Sequence, residues 1–199
     1  YCVGMRLTNR DGDAIDADGL RVRGAVVLRG MIADGEVRLQ RAHIGADLDC
    51  TDVQIYNRNG AAFNADGSKI KGIIFLRNAS AKGIVRLLGV QIGGNLDCID
   101  GEFENEGDVA LTADGLSTCQ NIYLKGVRAI GVVRLVGAHV AGSIECDGAQ
   151  FDNPNGRALI LQGVRVNSGL VWRAGSQVIG ELDLTEAEFG RMYDETACW

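Results

Sequence analysis

The sequence has few of the features that mark linkers, membrane spans or secreted chains. Its 199 residues include a single proline, Pro154, so the 28 glycines do not belong to a disordered, proline-rich linker. No apolar run approaches the roughly 18 residues that a membrane-spanning helix needs, and no secretory signal sequence is recognisable. Because residue 1 is Tyr rather than Met, the missing signal says little about the compartment in which the protein works.

Positive charge is also scarce. Lys and Arg number 20 against 26 Asp and Glu, which gives a net charge of −6. This balance suits a soluble protein and argues against a generally basic nucleic-acid-binding protein. We therefore do not expect specific nucleic-acid binding.

What the sequence has instead is an internal repeat of 48 residues. The hexapeptide GADLDC, which ends at Cys50, returns as GGNLDC ending at Cys98 and as AGSIEC ending at Cys146. The segments GEVRL, GIVRL and GVVRL recur with the same period. We predict one domain over residues 1–189, followed by a tail at 190–199. Its repeat units lie near residues 3–50, 51–98, 99–146 and 147–189.

Each repeat unit has the pattern of short β-strands. Apolar and small residues mostly fall on every second position, as in strands. Once per unit a segment rich in Asn, Asp and Gly interrupts this pattern (TNRDGD, YNRNGA, ENEGDV, DNPNGR), so that circuits of 22 and 26 residues alternate. Short strands without helices between them bury their inward faces by stacking coil on coil. We predict an all-β fold, a right-handed parallel β-helix (β-solenoid) of about eight coils spaced by about 4.8 Å.

This stacking explains the recurring cysteine. Cys50 has the inward position of Leu28 and Leu76, so its thiol fills the core as a small hydrophobic group. Successive cysteines of this column lie about 9.6 Å apart, which is too far for a disulfide, limited to roughly 7 Å between Cα atoms, or for a shared zinc ion. Cys119 has an outward position and Cys198 lies in the tail, so both are candidate exposed thiols.

Residues that carry chemistry are few. His43 and His139 hold the same position four coils apart, too far for a common metal ion. Asp18, Asp66 and Asp114 precede a turn glycine, where a carboxylate accepts local backbone N–H groups, while calcium would need several oxygens around it. GxSxG, P-loop and complete dinucleotide-binding motifs do not occur. We expect no catalytic residue, cofactor, metal ion or enzymatic activity, although sequence does not reveal a pair of opposed carboxylates on neighbouring coils.

Two outward columns are candidate interaction surfaces. The first consists of the cations Arg29, Arg77, Lys125 and Arg173. Further cations lie near it in the coils, namely Arg21, Arg23, Lys69, Lys71 and Arg165. This side would dock an anionic polymer or membrane surface, or it is a solvated face balanced by Asp and Glu. The second column runs Val27, Asp49, Phe75, Asp97, Tyr123, Glu145 and Val171. Phe75 and Tyr123 would contact a partner there, or the acidic residues keep an exposed sheet soluble.

The GxVxL, GGNLDC and ADGL patterns of residues 2–189 resemble bacterial tandem-repeat proteins often labelled membrane-associated oxidoreductases. The resemblance implies a β-helix in the cytoplasm or at the membrane of a bacterium. It also implies an oxidoreductase label, for which no flavin, nicotinamide or haem motif is present at any position. The pattern is similar in style to bactofilins, which are β-helical filament formers, and more loosely to pentapeptide-repeat proteins.

The ends of the predicted solenoid show no obvious cap. Phe189 has the position of Ile44, and the sequence begins at the position of Asp49, so a second copy would nearly continue the first. We expect either a piece of a longer solenoid or copies that stack head to tail. The predicted function is a non-catalytic structural scaffold, self-assembling or part of a longer solenoid. The alternative is a binding module that docks a protein or a polyanionic or membrane surface through the outward columns.

Overall fold

The chain forms a stack of β-coils. The computed structural model describes residues 1–173 and 175–194, and the side chain of Asp11 lies outside this description. The regular elements of this part of the chain are 24 β-strands, β1 to β24 in chain order, and they form three eight-stranded parallel sheets. The predicted all-β, parallel β-solenoid of about eight coils is confirmed.

Each coil contributes one strand to each sheet. Sheet A consists of β1 (Arg6–Asp16), β4 (Ile32–Arg38), β7 (Gln54–Asn64), β10 (Ser80–Arg86), β13 (Glu102–Thr112), β16 (Arg128–Arg134), β19 (Gln150–Ile160) and β22 (Gln177–Asp183). Sheet B consists of β2 (Arg21–Val22), β5 (His43–Ile44), β8 (Lys69–Ile70), β11 (Gln91–Ile92), β14 (Ser117–Thr118), β17 (His139–Val140), β20 (Arg165–Val166) and β23 (Glu188–Phe189). Sheet C consists of β3 (Val26–Val27), β6 (Leu48–Asp49), β9 (Ile74–Phe75), β12 (Leu96–Asp97), β15 (Ile122–Tyr123), β18 (Ser143–Glu145), β21 (Gly169–Trp172) and β24 (Met192–Asp194).

The strand register confirms the two circuit lengths. Residue 21 pairs with residue 43, which is 22 positions further on, and residue 43 pairs with residue 69, which is 26 positions further on. Sheet A absorbs the difference, because its strands alternate between 11 and 7 residues and their pairing shifts in register at each Asn- and Gly-rich segment. These segments are therefore bulges within the long strands.

Every bulge is closed by the same hydrogen bond. An Asn side-chain amide donates to the backbone carbonyl four residues further on. The bonds are Asn9 to Asp13 at 2.9 Å, Asn57 to Ala61 at 2.8 Å, Asn105 to Val109 at 2.9 Å and Asn153 to Arg157 at 2.8 Å. The repeating asparagine of the sequence is therefore a structural clamp.

The bulge also explains the glycine that opens each GxVxL segment. Gly131 has a φ of +112°, which favours glycine, and it lies on the coil next to the bulge of β13. A Cβ at this position would meet the carbonyl oxygens of Asn105 at 2.5 Å and Asp108 at 2.6 Å. The bulge of one coil therefore requires glycine on the next.

The core is built from columns that run along the solenoid axis. Leu39, Leu87 and Leu135 are each at most 2% exposed. Cys50 and Cys98 are fully buried, as is Cys146, and burial raises the pKa of these thiols far above its ordinary value. The cysteines therefore fill the core, as predicted. Cys119 is exposed, also as predicted, while Cys198 lies outside the described residues.

The solenoid extends further than the sequence indicated. Met192 pairs with Leu170 and Tyr193 with Val171, so the three residues of β24 complete the eighth coil. Part of the predicted tail at 190–199 thus belongs to the stack, and the predicted solenoid end at residue 189 is too early. Residues 195–199 lie outside the description.

Candidate anion-binding groove

The predicted ladder of cations is largely occupied by ion pairs. Three of its four cations reach the acidic residue 20 positions further on, which lies on the next coil in the second predicted column. The pairs are Arg29–Asp49 at 2.5 Å, Arg77–Asp97 at 2.6 Å and Lys125–Glu145 at 2.5 Å. Asp49 and Asp97 are only 8% and 3% exposed. The two columns predicted as separate surfaces therefore form one seam of ion pairs, while Arg173 is exposed at the end of the ladder.

The pKa of Asp49 shows which charge state this buried carboxylate of the seam adopts. Burial acts to raise the pKa of Asp49, but hydrogen bonds from Thr51 and the Arg29 guanidinium outweigh it and hold the pKa below its ordinary value. The carboxylate thus remains charged at neutral pH and keeps Arg29 engaged.

The aromatic members of the second column are covered as well. Phe75 and Tyr123 are half-buried. The Tyr123 hydroxyl accepts a hydrogen bond from the Asn121 amide at 2.9 Å, and the Lys125 ammonium lies 5.8 Å from the centre of the Tyr123 ring. Tyr123 therefore has polar partners within the chain, and a role of Phe75 and Tyr123 in binding a partner stays a prediction.

The aspartates that precede the turn glycines form a second ladder. The Asp66 carboxylate accepts the backbone N–H of Leu88 at 2.9 Å and the Arg86 guanidinium at 2.6 Å. Asp18 and Asp114 accept equivalent bonds from the next coil. The sequence suggested local backbone donors. The donors lie instead 22 positions further along the chain, on the next coil. Both oxygens are engaged by donors, and the described residues contain no cluster of three or more acidic, His or Cys side chains that could hold a metal ion.

A different set of cations lines an open groove on the outer face of sheet B. The groove has a volume of about 980 Å³ and covers the first five coils. Its cationic residues are Arg21, Arg23, Lys69 and Lys71. Its other outward side chains belong to His43, Gln91, Ser117 and Cys119. None of the described lining residues is acidic, and no ion pair joins the four cations to a carboxylate in the described part of the chain.

Strand register places these cations in two columns. Arg21 pairs with His43 and His43 with Lys69, so the cations of the first column stand on alternate coils, about 9.6 Å apart. In the second column Gly45 lies between Arg23 and Lys71. A Cβ on Gly45 would overlap the carbonyl group of Arg23, with the carbonyl carbon at 2.7 Å. The tight corner between coils thus demands glycine, and the missing side chain leaves the space between the cations open.

The remaining coils of sheet B are less cationic. Arg165, a nearby cation noted in the sequence, contacts Glu188 at 3.5 Å. His139 is exposed and lies four strand pairings from His43, which confirms the predicted separation of the two histidines. The unpaired positive charge of the described sheet B is therefore concentrated in its first three coils.

No protein family model, curated protein or solved structure matches this chain. The resemblance to tandem-repeat proteins labelled membrane-associated oxidoreductases, to bactofilins and to pentapeptide-repeat proteins therefore stays a prediction. The described residues contain no helix with the length and hydropathy of a membrane span.

Proposed function

We propose that the protein is a non-catalytic scaffold that presents the sheet B groove to an anionic partner. One observation carries this proposal: the groove gathers four cations without a carboxylate among its described lining residues, whereas the cations of the seam are paired with neighbouring acids. Like charges held close together repel each other, so a bound anion relieves this repulsion and gains attraction at the same time. An anion would gain less at the seam, because the cations there already have acidic partners.

The arrangement of the groove favours binding over catalysis. Besides its Arg and Lys residues, the groups in the described lining that can act as acid, base or nucleophile are His43 and, on one coil, Ser117 and Cys119. They stand on the second and fifth coils, about 14 Å apart by coil spacing. A nucleophile and its base need to lie within hydrogen-bond reach of each other, about 3 Å.

Removing two groove cations is expected to weaken binding of a polyanion. In Lys69→Gln/Lys71→Gln, the affinity for fluorescent dextran sulfate should fall roughly 30-fold, at about 1 kcal/mol for each cation near an anionic surface. The slope of log affinity against log salt should fall by about two, because two fewer counterion-releasing contacts form. Fluorescence anisotropy at several salt concentrations measures both quantities.

The matched control removes two exposed cations from sheet A. Arg58→Gln/Arg128→Gln changes the net charge by the same amount but leaves the groove intact. We expect its affinity and salt slope to stay close to those of the parent protein. Equal losses in the two variants would show that binding follows net charge rather than the groove, and would overturn the proposal.

A second candidate function is end-to-end stacking of copies into a filament. It is supported by the position of exposed large hydrophobic residues in the described part of the chain. Apart from Tyr56, they lie at the outermost coils: Tyr1, Val3, Met5, Ile179, Met192 and Tyr193. These coils carry the end strands of the three sheets, and strand edges of this kind accept further parallel strands.

Stacking predicts that sedimentation velocity will reveal longer species as the protein concentration rises. Ile179→Lys places a charge on one of these outer coils and should shift the distribution back to single rods. A single monomeric species at high concentration would rule out this second candidate.

A further inference from the structure

We infer that the occupant of the groove is an extended acidic polysaccharide that lies along the solenoid axis. This inference rests on the proposed anion-binding function and goes further, because it assigns the ligand a backbone, a direction and a spacing of charge. The ligand would carry isolated anionic groups separated by uncharged, hydroxyl-rich sugar units.

The spacing of the cations is the first support. Arg21 and Arg23 stand on the first coil and Lys69 and Lys71 on the third, so two doubly cationic positions lie about 9.6 Å apart along the axis. A polymer with one anionic group per disaccharide separates its charges by about two sugar rings, a length of this order. A densely charged chain such as polyphosphate would instead place many of its charges against uncharged lining.

The lining between and beyond the cations is the second support. His43 lies between the two cationic coils, and Gln91 and Ser117 follow on the fourth and fifth coils. Amide and hydroxyl groups both donate and accept hydrogen bonds, as the hydroxyl groups of a sugar do. The His43 ring donates through Nδ1 to the Arg41 carbonyl at 3.1 Å, which leaves Nε2 for a ligand. Cations on the first and third coils would thus bind the anionic groups of the ligand, and neutral polar side chains on the other coils would bind its hydroxyl groups.

Two other classes of polyanion fit this surface less well. Single-stranded nucleic acid is held mainly by large aromatic side chains on which bases stack, and the described lining contains no Phe, Tyr or Trp. A membrane surface is commonly held by exposed apolar or aromatic side chains together with cations. Here the aliphatic lining residues Ile44, Ile70 and Ile92 are buried and Val22 is half-buried, so the described lining has no fully exposed aliphatic side chain that could insert into a bilayer.

The test measures binding as a function of oligosaccharide length. Oligosaccharides of alternating uronate and neutral sugar, from disaccharide to octasaccharide, are titrated into the protein by isothermal calorimetry. We expect the affinity to rise about tenfold or more once the chain bridges both cationic coils, since the second contact then forms within one complex. Lys69→Gln/Lys71→Gln should abolish this gain with length, and Arg58→Gln/Arg128→Gln should preserve it.

Polyphosphate, oligouridylate, anionic phosphatidylserine vesicles and neutral dextran complete the panel. Tighter groove-dependent binding of polyphosphate, RNA or vesicles than of the uronate chains would overturn this inference while leaving the proposed anion-binding function intact. Affinity that does not depend on oligosaccharide length would have the same meaning. If no anionic probe distinguishes the groove variant from its control, the proposed function itself fails.

Discussion

Replacing Gly131 with Ala is expected to destabilise the solenoid by roughly 3 to 5 kcal/mol, because a strained φ costs about 1 to 3 kcal/mol and an overfilled contact about as much again. The new methyl group would press against the carbonyl oxygens of Asn105 and Asp108 in the neighbouring bulge. Relief would require the bulge to move and its Asn105–Val109 hydrogen bond to break. Urea denaturation measures the change in the free energy of unfolding.

Gly137→Ala is the control for this prediction. Gly137 also has a positive φ, +63°, but a Cβ there would have no heavy atom within 4 Å. Its replacement should therefore cost only the backbone term, about 1 to 2 kcal/mol. If both substitutions cost the same, the bulge is not what selects glycine at the start of the GxVxL segment.

Truncating Leu87 to Ala is expected to cost roughly 3 to 5 kcal/mol, near the upper end of values for buried leucine. Leu87 is fully buried, and the register flanks it with Ala65 and Ala113 on the adjacent coils. The variant would therefore stack three alanines in one column. Neither small neighbour can fill the cavity, and chemical denaturation should show the full loss.

Leu184→Ala tests whether full burial accounts for the large loss of stability expected for Leu87→Ala. Leu184 follows the same repeat position on the last coil, but it is half-exposed and lies next to Leu161. Truncation there should cost only about 1 kcal/mol, because less apolar surface leaves water when this residue folds. A cost equal to that of Leu87→Ala would contradict the role assigned to the full burial of Leu87.

The sequence predicted the stack well because inward positions are chemically constrained. Leu39, Leu87, Cys50 and Cys98 can be read as columns since each must be apolar and each recurs with the period of the coils. The last strand escaped this reasoning. Met192–Asp194 lacks the LDC or IEC pattern of the other units and follows one inserted residue, visible where Gln150 pairs with Gln177 rather than with the residue before it.

The candidate site was only partly predictable. The sequence assigned Arg29 and Asp49 to their columns, but it does not tell which way a long side chain leans between coils, so their ion pair went unseen. The sequence likewise does not tell whether Lys69 and Lys71 have acidic partners, so they were noted only as neighbours of the cation column. Their importance comes from the absence of acidic side chains among the described lining residues of the groove, which the sequence does not show.

In the proposed complex, an anionic ligand engages the groove cations because the seam cations are already paired. The most direct measurement follows the Nε–H signals of the arginine side chains by NMR during titration with a uronate oligosaccharide. The signals of Arg21 and Arg23 should shift with added ligand, while those of Arg29 and Arg77 stay in place. Shifts of Arg29 and Arg77 without shifts of Arg21 and Arg23 would contradict the claim.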